Sequence, residues 1–354
     1  MINRPIQTEG EPGGHADRRA RRFGLRAVLQ IGIGIGALAL LVVKSDTRAL
    51  IEALKLTRIS YLPLAVLASI TVTWLMAYRW RAILAVRGPR LRTGGLFMYY
   101  LIGIFFMNFV PGGGVSGDVA RLIYVDRVVR DKPFVLSTLV YERLVGLFVL
   151  LLIGLGATVA SRSMRPEGRF IYFAEGALAL GFLATAALMS EFATSRAARL
   201  IRVLAKRVRM ERLGDAASRT LEAISELRKH RGMILTTILV SVIIRVVWSL
   251  GCYVVALAMG LPLSMLVVFA FISIVDLVRM LPISIGGIGV REWVLVALFA
   301  NVGLAREQAL MFSFLAFAPV LLNAIAGGLI YISRAGILTS DKGLKSREAI
   351  RSNT

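Results

Sequence analysis

Long apolar runs alternate with short polar and basic stretches along most of this chain. The apolar segments lie near residues 25–43, 62–78, 95–110, 134–160, 170–190, 233–258, 263–281, 292–303 and 308–333. Several of them reach the ~18 residues that a helix needs to cross the hydrocarbon core of a bilayer. The pattern predicts an all-α polytopic membrane protein, in which hydropathy alone counts about eight hydrophobic segments as spans.

The positions of Lys and Arg test this count, because basic residues concentrate in cytoplasmic loops. They cluster at 18–22, 79–92 and 191–232 and again after 333, which places both termini and both of these loops in the cytoplasm. Three apolar segments lie between the two loops, so one of the three cannot be a full crossing. We expect this segment to be 95–110, the shortest.

Two glycine-rich stretches follow apolar runs in the two halves of the chain. NFVPGGGVSGDVAR occupies residues 108–121, and RMLPISIGGIGVREW occupies 279–293; each has a proline, then glycines, then charge. The apolar arm after the second stretch, 292–303, is too short to span, since about 12 helical residues cover less than 20 Å. Both stretches predict re-entrant hairpins, whose irregular backbone is tolerated only beside protein or a watery cavity.

Two such hairpins entering from opposite faces would leave six full spans and indicate an inverted repeat, with a site near the middle of the membrane. The alternative is a pair of ordinary glycine-rich loops between spans.

The remaining regions are assigned by composition. Residues 1–24 are expected to be a disordered basic lead before an uncleaved first span, 25–335 a transmembrane domain and 336–354 a cytoplasmic tail in the inner (plasma) membrane. The segment 196–231 is read either as a basic amphipathic helix on the inner leaflet or as a solvated connector. Residues 47–61 are expected to form a short interfacial helix on the outer side.

Composition excludes several classes of function. The net charge of +22 would favour nucleic acid in a soluble protein, but here the basic residues lie between apolar runs, so no nucleic-acid partner is expected. Cys252 is the single cysteine, and both histidines lie outside the apolar runs. No disulfide frame, metal site or cofactor is therefore predicted, and the sequence shows no nucleotide-binding loop.

Ionisable residues inside apolar segments are costly and by default indicate function. Glu142 and Arg143 lie within one segment, Arg245 in the middle of another, and Asp276 and Arg279 on one face of a third. The arginines outnumber the acids, which favours an anionic substrate such as a lipid phosphate, held by guanidinium groups and glycine amides. The alternative is that the acids simply neutralise arginines and hold helices together, with Arg279 reaching the headgroups.

The predicted substrate-binding residues come from the two glycine-rich stretches and from these interior charges, and no catalytic or metal-binding residue is predicted. They are Asn108, Gly113, Gly114, Asp118, Arg121, Glu142, Arg143, Arg245, Asp276, Arg279, Ser284, Gly286, Gly287, Arg291 and Glu292.

Three motifs resemble a known family. SGDVAR at 116–121 after Pro111, YERLVG at 141–146 and PISIGGIGVRE at 282–292 are similar to the flippase-like membrane family, typified by the N-terminal transmembrane half of bacterial lysyl-phosphatidylglycerol synthase/flippase proteins. The resemblance covers about 25–335. It implies lipid translocation, with family members attached to aminoacyl-lipid, hopanoid or polyprenyl-linked glycan pathways.

The resulting hypothesis is a lipid transporter rather than an enzyme. An anionic phospholipid, aminoacyl-lipid or polyprenyl-phosphate-linked lipid would be flipped, while Asp118, Glu142 and Asp276 balance charge or relay protons. The soluble aminoacyl-transferase half is expected to be absent, since the chain ends shortly after its last span. Two alternatives stay open: a non-transporting partner of a glycosyltransferase or lipid synthase, and an integral-membrane transferase that uses Asp118 and Glu142.

Overall fold

The computed structural model of the protein describes residues 45–162, 169–188, 229–280 and 284–351, with individual residues between 32 and 43 and between 220 and 227. Most of these residues are helical. The helices are α1 Thr47–Lys55, α2 Leu62–Leu84, α3 Thr93–Phe109, α4 Gly114–Val129, α5 Lys132–Ala160, α6 Arg169–Leu188, α7 Arg231–Ala258, α8 Met265–Arg279, α9 Val290–Ala300 and α10 Arg306–Arg351. Short 3₁₀ turns occupy Ile59–Tyr61 and Ile285–Gly287.

Four helical stretches are long and apolar enough to cross a membrane: Ile59–Leu84, Lys132–Ala160, Arg231–Ala258 and Arg306–Ser333. They correspond to four of the six predicted full spans and confirm an all-α polytopic membrane protein. The predicted span at 170–190 contains a shorter apolar helix, Tyr172–Ala187. The lead 1–24, most of the predicted first span and most of the segment 196–231 lie outside the described residues.

Local sequence explains where several helices begin. The Asp46 carboxylate accepts a hydrogen bond from the Arg48 backbone N–H (2.8 Å), so the outer segment predicted at 47–61 begins as a capped helix. Ser264 caps α8 in the same way, accepting from the Val267 N–H (3.3 Å). Pro63 and Pro133 lie in the first turns of α2 and α5, where a missing N–H costs no helical hydrogen bond.

The described helices form two repeats of the same order, α2–α5 and α7–α10, each a long helix, two short ones and another long one. Helix α2 packs on α7, α3 packs on α10, and α5 packs on α8. If α2–α5 is exchanged with α7–α10, the pair α2–α7 maps onto itself. The pair α3–α10 maps onto α8–α5, which is the third contact. The packing is therefore two-fold symmetric in its connectivity, as the predicted repeat requires.

The contact between α2 and α7 shows that the repeats are inverted. Before α2, the Arg58 N–H donates to the carbonyl of Ala258, the last residue of α7 (2.7 Å). Near the other end, Arg79 Nη1 donates to Ser241 Oγ (2.8 Å). The two equivalent helices thus run antiparallel, which is the arrangement that an inverted repeat produces.

Each repeat contains a hairpin of two short helices joined by a glycine turn. In the first, α3 and α4 pack so closely that a Cβ atom on Gly117 would lie 2.5 Å from the Gly103 carbonyl oxygen. The predicted turn at the glycines is confirmed by the end of α3 at Phe109 and the start of α4 at Gly114. In the second, α8 and α9 flank residues 284–289; Pro282 lies outside the described residues. Neither α4 nor α9 is among the span-length helices.

Candidate functional site

The interior charges of the first repeat meet at the carboxylate of Glu142 in α5. Arg79 Nη2 (2.6 Å) and Arg121 Nη1 (3.1 Å) both donate to it, as does the Tyr100 hydroxyl. These side chains come from four different helices, α2, α3, α4 and α5, and Glu142 itself is only 4% exposed. We call Arg79, Tyr100, Asp118, Arg121, Glu142 and Arg143 the first cluster.

Asp118 connects this buried centre to a more accessible edge. It accepts hydrogen bonds from Arg121 and from Arg143 Nε, and Arg143 Nη2 also donates to the Gly114 carbonyl in the first turn of α4 (2.9 Å). The Arg143 side chain is 41% exposed, so it is not the buried arginine that the sequence predicted. Its neighbour Glu142 faces the interior because adjacent helical residues point in different directions.

Arg79 was predicted to belong to a cytoplasmic basic loop, and this assignment is wrong. Helix α2 continues to Leu84, and Arg79 is buried within it. The remaining arginine of the cluster, Arg121, lies over two aromatic rings, 5.0 Å from the centroid of Trp80 and 4.2 Å from that of Tyr100. Cation–π contact in a desolvated setting helps to hold a buried guanidinium.

The second repeat builds a comparable group around two carboxylates. We call Arg245, Asp276, Arg279, Arg291 and Glu292 the second cluster. Asp276 in α8 accepts from Arg245 Nη1 (2.7 Å), from Trp248 Nε1 (3.0 Å) and from Arg279 Nη1 (3.3 Å). The deep Arg245 therefore has a carboxylate partner on the neighbouring helix, and Asp276 has two partners besides Arg279.

Glu292 in α9 is the other carboxylate of the second cluster and is fully buried. It accepts from the Gly289 backbone N–H (2.7 Å), from Arg291 Nε (2.9 Å) and from Ser313 Oγ (2.9 Å). The first of these contacts caps α9 and fixes the end of the second glycine turn. Glu292 is therefore engaged with both the turn and helix α10.

The second cluster carries one more positive charge than its carboxylates neutralise, since three arginines face two acids. Within the described part of the chain, the buried atoms Arg279 Nε and Arg291 Nη1 have no hydrogen-bond partner. Both guanidinium groups approach the ring of Phe317, at 5.5 and 4.0 Å from its centroid. Buried guanidinium N–H groups without an acceptor are costly unless an anion completes them.

The two clusters are joined along α7. Ser241, which accepts from Arg79, and Arg245, which donates to Asp276, are four residues apart on the same helical face. One turn of helix separates them, a rise of about 6 Å. Polar side chains thus continue from one cluster to the other through the protein interior.

The glycine turns bring the two hairpins into contact. Asn108, near the end of α3, donates to the Ile104 carbonyl (2.8 Å), while its buried Oδ1 has no partner among the described residues. A Cβ atom on Gly286 would lie 3.0 Å from that oxygen, and one on Gly287 would lie 2.8 Å from Cγ of Arg279. Ser284, in the same turn, is buried and its Oγ is also unpartnered within the described chain. Gly113 has open space around its Cβ position.

The structure thus divides the predicted site residues between two groups and the turn contact between them. Sequence reasoning missed Arg79, Tyr100, Ser241 and Phe317. Arg79 lies next to a dense run of loop arginines, so nothing in its local sequence distinguishes it. Among the described residues, no group of three or more His, Cys, Asp or Glu side chains could hold a metal ion.

These features define a polytopic helical membrane protein with two inverted repeats and a charged interior at their junction. The chain belongs to the family described as lysylphosphatidylglycerol synthase TM region, which matches residues 27–327. It is also similar to a UPF0104 membrane protein of Pyrococcus horikoshii, with 21% identity over 334 residues that cover 89% of this chain and 99% of the relative. No solved structure matches the chain.

Proposed function

We propose that this protein translocates an anionic lipid across the inner membrane, with both termini in the cytoplasm and its two glycine-turn hairpins re-entrant. The observation that carries the proposal is the excess of interior arginine in the second cluster, where the buried Arg245 and Arg291 and the half-buried Arg279 face two carboxylates beside a glycine turn. A passing anion would supply the compensation that the protein's own carboxylates do not.

Phosphate suits these donors best. Arg279 Nε and Arg291 Nη1 are buried and unpartnered in the described chain, and guanidinium N–H groups match phosphate oxygens in geometry and charge. At membrane depth the abundant carriers of phosphate are lipids. The family description names a lysylphosphatidylglycerol synthase, which supports a role in lipid metabolism or transport.

The route follows from the arrangement of the clusters. The headgroup would move past the contact between Asn108 and Gly286, from one cluster toward the other, while its acyl chains stay in the bilayer. Ser241, the acceptor for Arg79, and Arg245 are one helical turn apart along α7, which provides polar side chains between the two clusters. The hairpins supply the irregular backbone that a cavity inside the membrane tolerates.

The contacts disfavour a transferase that uses Asp118 and Glu142. Glu142 accepts from two arginines and a tyrosine, and Asp118 accepts from two arginines. Both oxygens of each carboxylate accept from these donors, so neither is placed to take a proton from a substrate. Their role in the proposal is to hold the arginines in place.

The test is lipid scrambling in reconstituted liposomes that contain fluorescent phosphatidylglycerol, aminoacylated phosphatidylglycerol, polyprenyl phosphate or phosphatidylcholine. Arg279→Gln is the informative variant, because Asp276 keeps Arg245 and Trp248 as partners. Arg90→Gln, at an exposed arginine outside both clusters, is the control.

We expect the wild type and Arg90→Gln to expose inner-leaflet anionic lipid to a membrane-impermeant reagent at equal rates, and Arg279→Gln to do so at least about tenfold more slowly. No acceleration by folded, monodisperse wild-type protein for any of these lipids would reject translocation. It would favour a non-transporting partner of a glycosyltransferase or lipid synthase.

A further inference from the structure

A cavity of about 470 Å³ lies where α4 ends and α5 begins, away from both clusters. Its described lining consists of Arg87, the residues Arg130–Phe134, Ala223 and Glu226. The basic loops that form this end of the protein are those that the distribution of Lys and Arg places in the cytoplasm. The volume is within the range of small-ligand pockets, roughly 300–1,000 Å³.

The cavity has an apolar floor. Phe134 is 2% exposed and belongs to the core formed by the ends of α2, α4 and α5. Gly88 lies so close to these elements that an added Cβ would be 3.0 Å from the Leu84 carbonyl, 3.7 Å from the Phe134 ring and 3.8 Å from Val129. The polar rim is therefore carried by packed elements rather than by a free loop.

The charge of the rim is unevenly compensated. Both carboxylates face Arg87: its Nη1 lies 3.9 Å from Asp131 Oδ2 and 3.6 Å from Glu226 Oε2. Over the described ranges neither Arg130 nor Lys132 takes part in an ion pair. The two remaining cations that line the cavity, Arg130 and Lys132, are exposed and have no carboxylate of their own in the described chain.

We propose that this cavity binds the phosphate group of an anionic ligand. Arg130 and Lys132 are the binding cations. Arg87 can join them by leaving its two carboxylates, which lie 3.9 and 3.6 Å away. The ligand is either the headgroup of a membrane lipid or a free phosphate, and both present the same chemistry to these side chains. The site stands independently of lipid translocation.

Its position gives the site a relation to the first cluster. Arg130 caps the C-terminal end of α4, nine residues after Arg121. Lys132 is the first residue of α5, ten residues before Glu142. At 1.5 Å per residue both separations are about 15 Å or less, so two helices run directly from the cavity to the first cluster. A phosphate bound here would lie beside the last turn of α4, the helix that carries Arg121.

Binding can be measured without transport, by native mass spectrometry of the purified full-length protein in detergent. The probes are phosphatidylglycerol, phosphatidylcholine of the same chain length, and inorganic phosphate as a competitor. The test variant is Arg130→Gln/Lys132→Gln, and the matched control is Arg90→Gln/Arg92→Gln, which removes the same charge from exposed positions of the neighbouring loop.

We expect the test variant to lose about tenfold or more of its affinity for phosphatidylglycerol or phosphate, and the control to change by less than about twofold. Competition by inorganic phosphate, with equal binding of the two lipids, identifies free phosphate as the ligand. A preference for phosphatidylglycerol that phosphate does not reduce identifies the headgroup.

Equal binding by the test and control variants, for every probe, overturns the proposal. If the double variant does not fold, Lys132→Gln against Arg92→Gln makes the same comparison with one charge. Because translocation is not the readout, an inactive transporter would leave these outcomes unchanged, and a negative result here would leave the proposed transport untouched.

Discussion

Asn108 Oδ1 lies 3.0 Å from the place where a Cβ atom of Gly286 would stand, so the tip of one hairpin contacts the tip of the other with no room for a side chain. Gly286 also has φ of +62°, a conformation that costs an L-residue about 1–2 kcal/mol. We expect Gly286→Ala to lower the free energy of unfolding in detergent by more than this strain alone, since Asn108 or the turn must also move.

The comparison that isolates the contact is Gly260→Ala. Gly260, just after α7, has φ of +65° but no atom within 4 Å of its Cβ position, so its substitution carries comparable strain without collision. Chemical denaturation of both variants gives the two values. Equal destabilisation would show that the hairpin tips are not in contact.

Glu142→Gln is expected to be among the most destabilising single changes in the chain. The change removes the charge that compensates Arg79 and Arg121, both of them buried. Leaving a buried charge without its partner costs about 3–5 kcal/mol. We expect loss of the monodisperse peak in size-exclusion chromatography, or a large fall in the unfolding midpoint.

Asp118→Asn provides the milder counterpart within the same cluster. One of its two arginine partners, Arg143, is 41% exposed and can be solvated, while the other, Arg121, still pairs with Glu142. We expect Asp118→Asn to cost at most about 1 kcal/mol more than the loss of an exposed ion pair, which costs about 0–1 kcal/mol. If Asp118→Asn proves as damaging as Glu142→Gln, the assignment of Glu142 as the structural centre is wrong.

Arg245 and Arg279 share Asp276 but should differ in what they support. Arg245 is the closer partner (2.7 against 3.3 Å) and the more deeply buried. We expect Arg245→Gln to lower thermal stability strongly, whereas Arg279→Gln should leave the unfolding midpoint within a few degrees of the wild type and lower lipid scrambling. Melting and scrambling are measured on the same preparations, and the reverse pattern would exchange the two roles.

Gly117→Ala tests the closeness of the first hairpin. The new methyl group would stand 2.5 Å from the backbone oxygen of Gly103, and backbone cannot yield as a flexible side chain does. We expect α3 and α4 to separate, with destabilisation of about 1–3 kcal/mol. Gly95→Ala, in the first turns of α3 with open space around it, should be neutral or stabilising by up to about 1 kcal/mol.

Much of this architecture was predictable from sequence, because a membrane imposes simple lengths and polarities. The spans at 62–78, 134–160, 233–258 and 308–333 follow directly from apolar runs, and both glycine turns follow from the residues that tolerate positive φ. The interior positions of Arg245, Asp276 and Glu292 followed from the cost of burying charge, which makes such residues rare in apolar segments.

The pairing of those charges was not predictable. That Arg79 rather than Arg143 is the buried partner of Glu142 depends on how far α2 continues and which way α5 is rotated, and neither is encoded in hydropathy. The role of Tyr100 and the approach of Phe317 to two arginines likewise require the packing of helices distant in sequence.

The antiparallel contact of α2 with α7 has a consequence for the origin of such a chain. Two equivalent helices that meet in opposite directions make an isologous interface, the kind that joins two identical subunits around a two-fold axis. A half-length ancestor inserted into the membrane in both orientations would have dimerised through this same surface. Gene duplication and fusion would then have fixed one copy in each orientation, so that each half carries its own group of arginines around carboxylates.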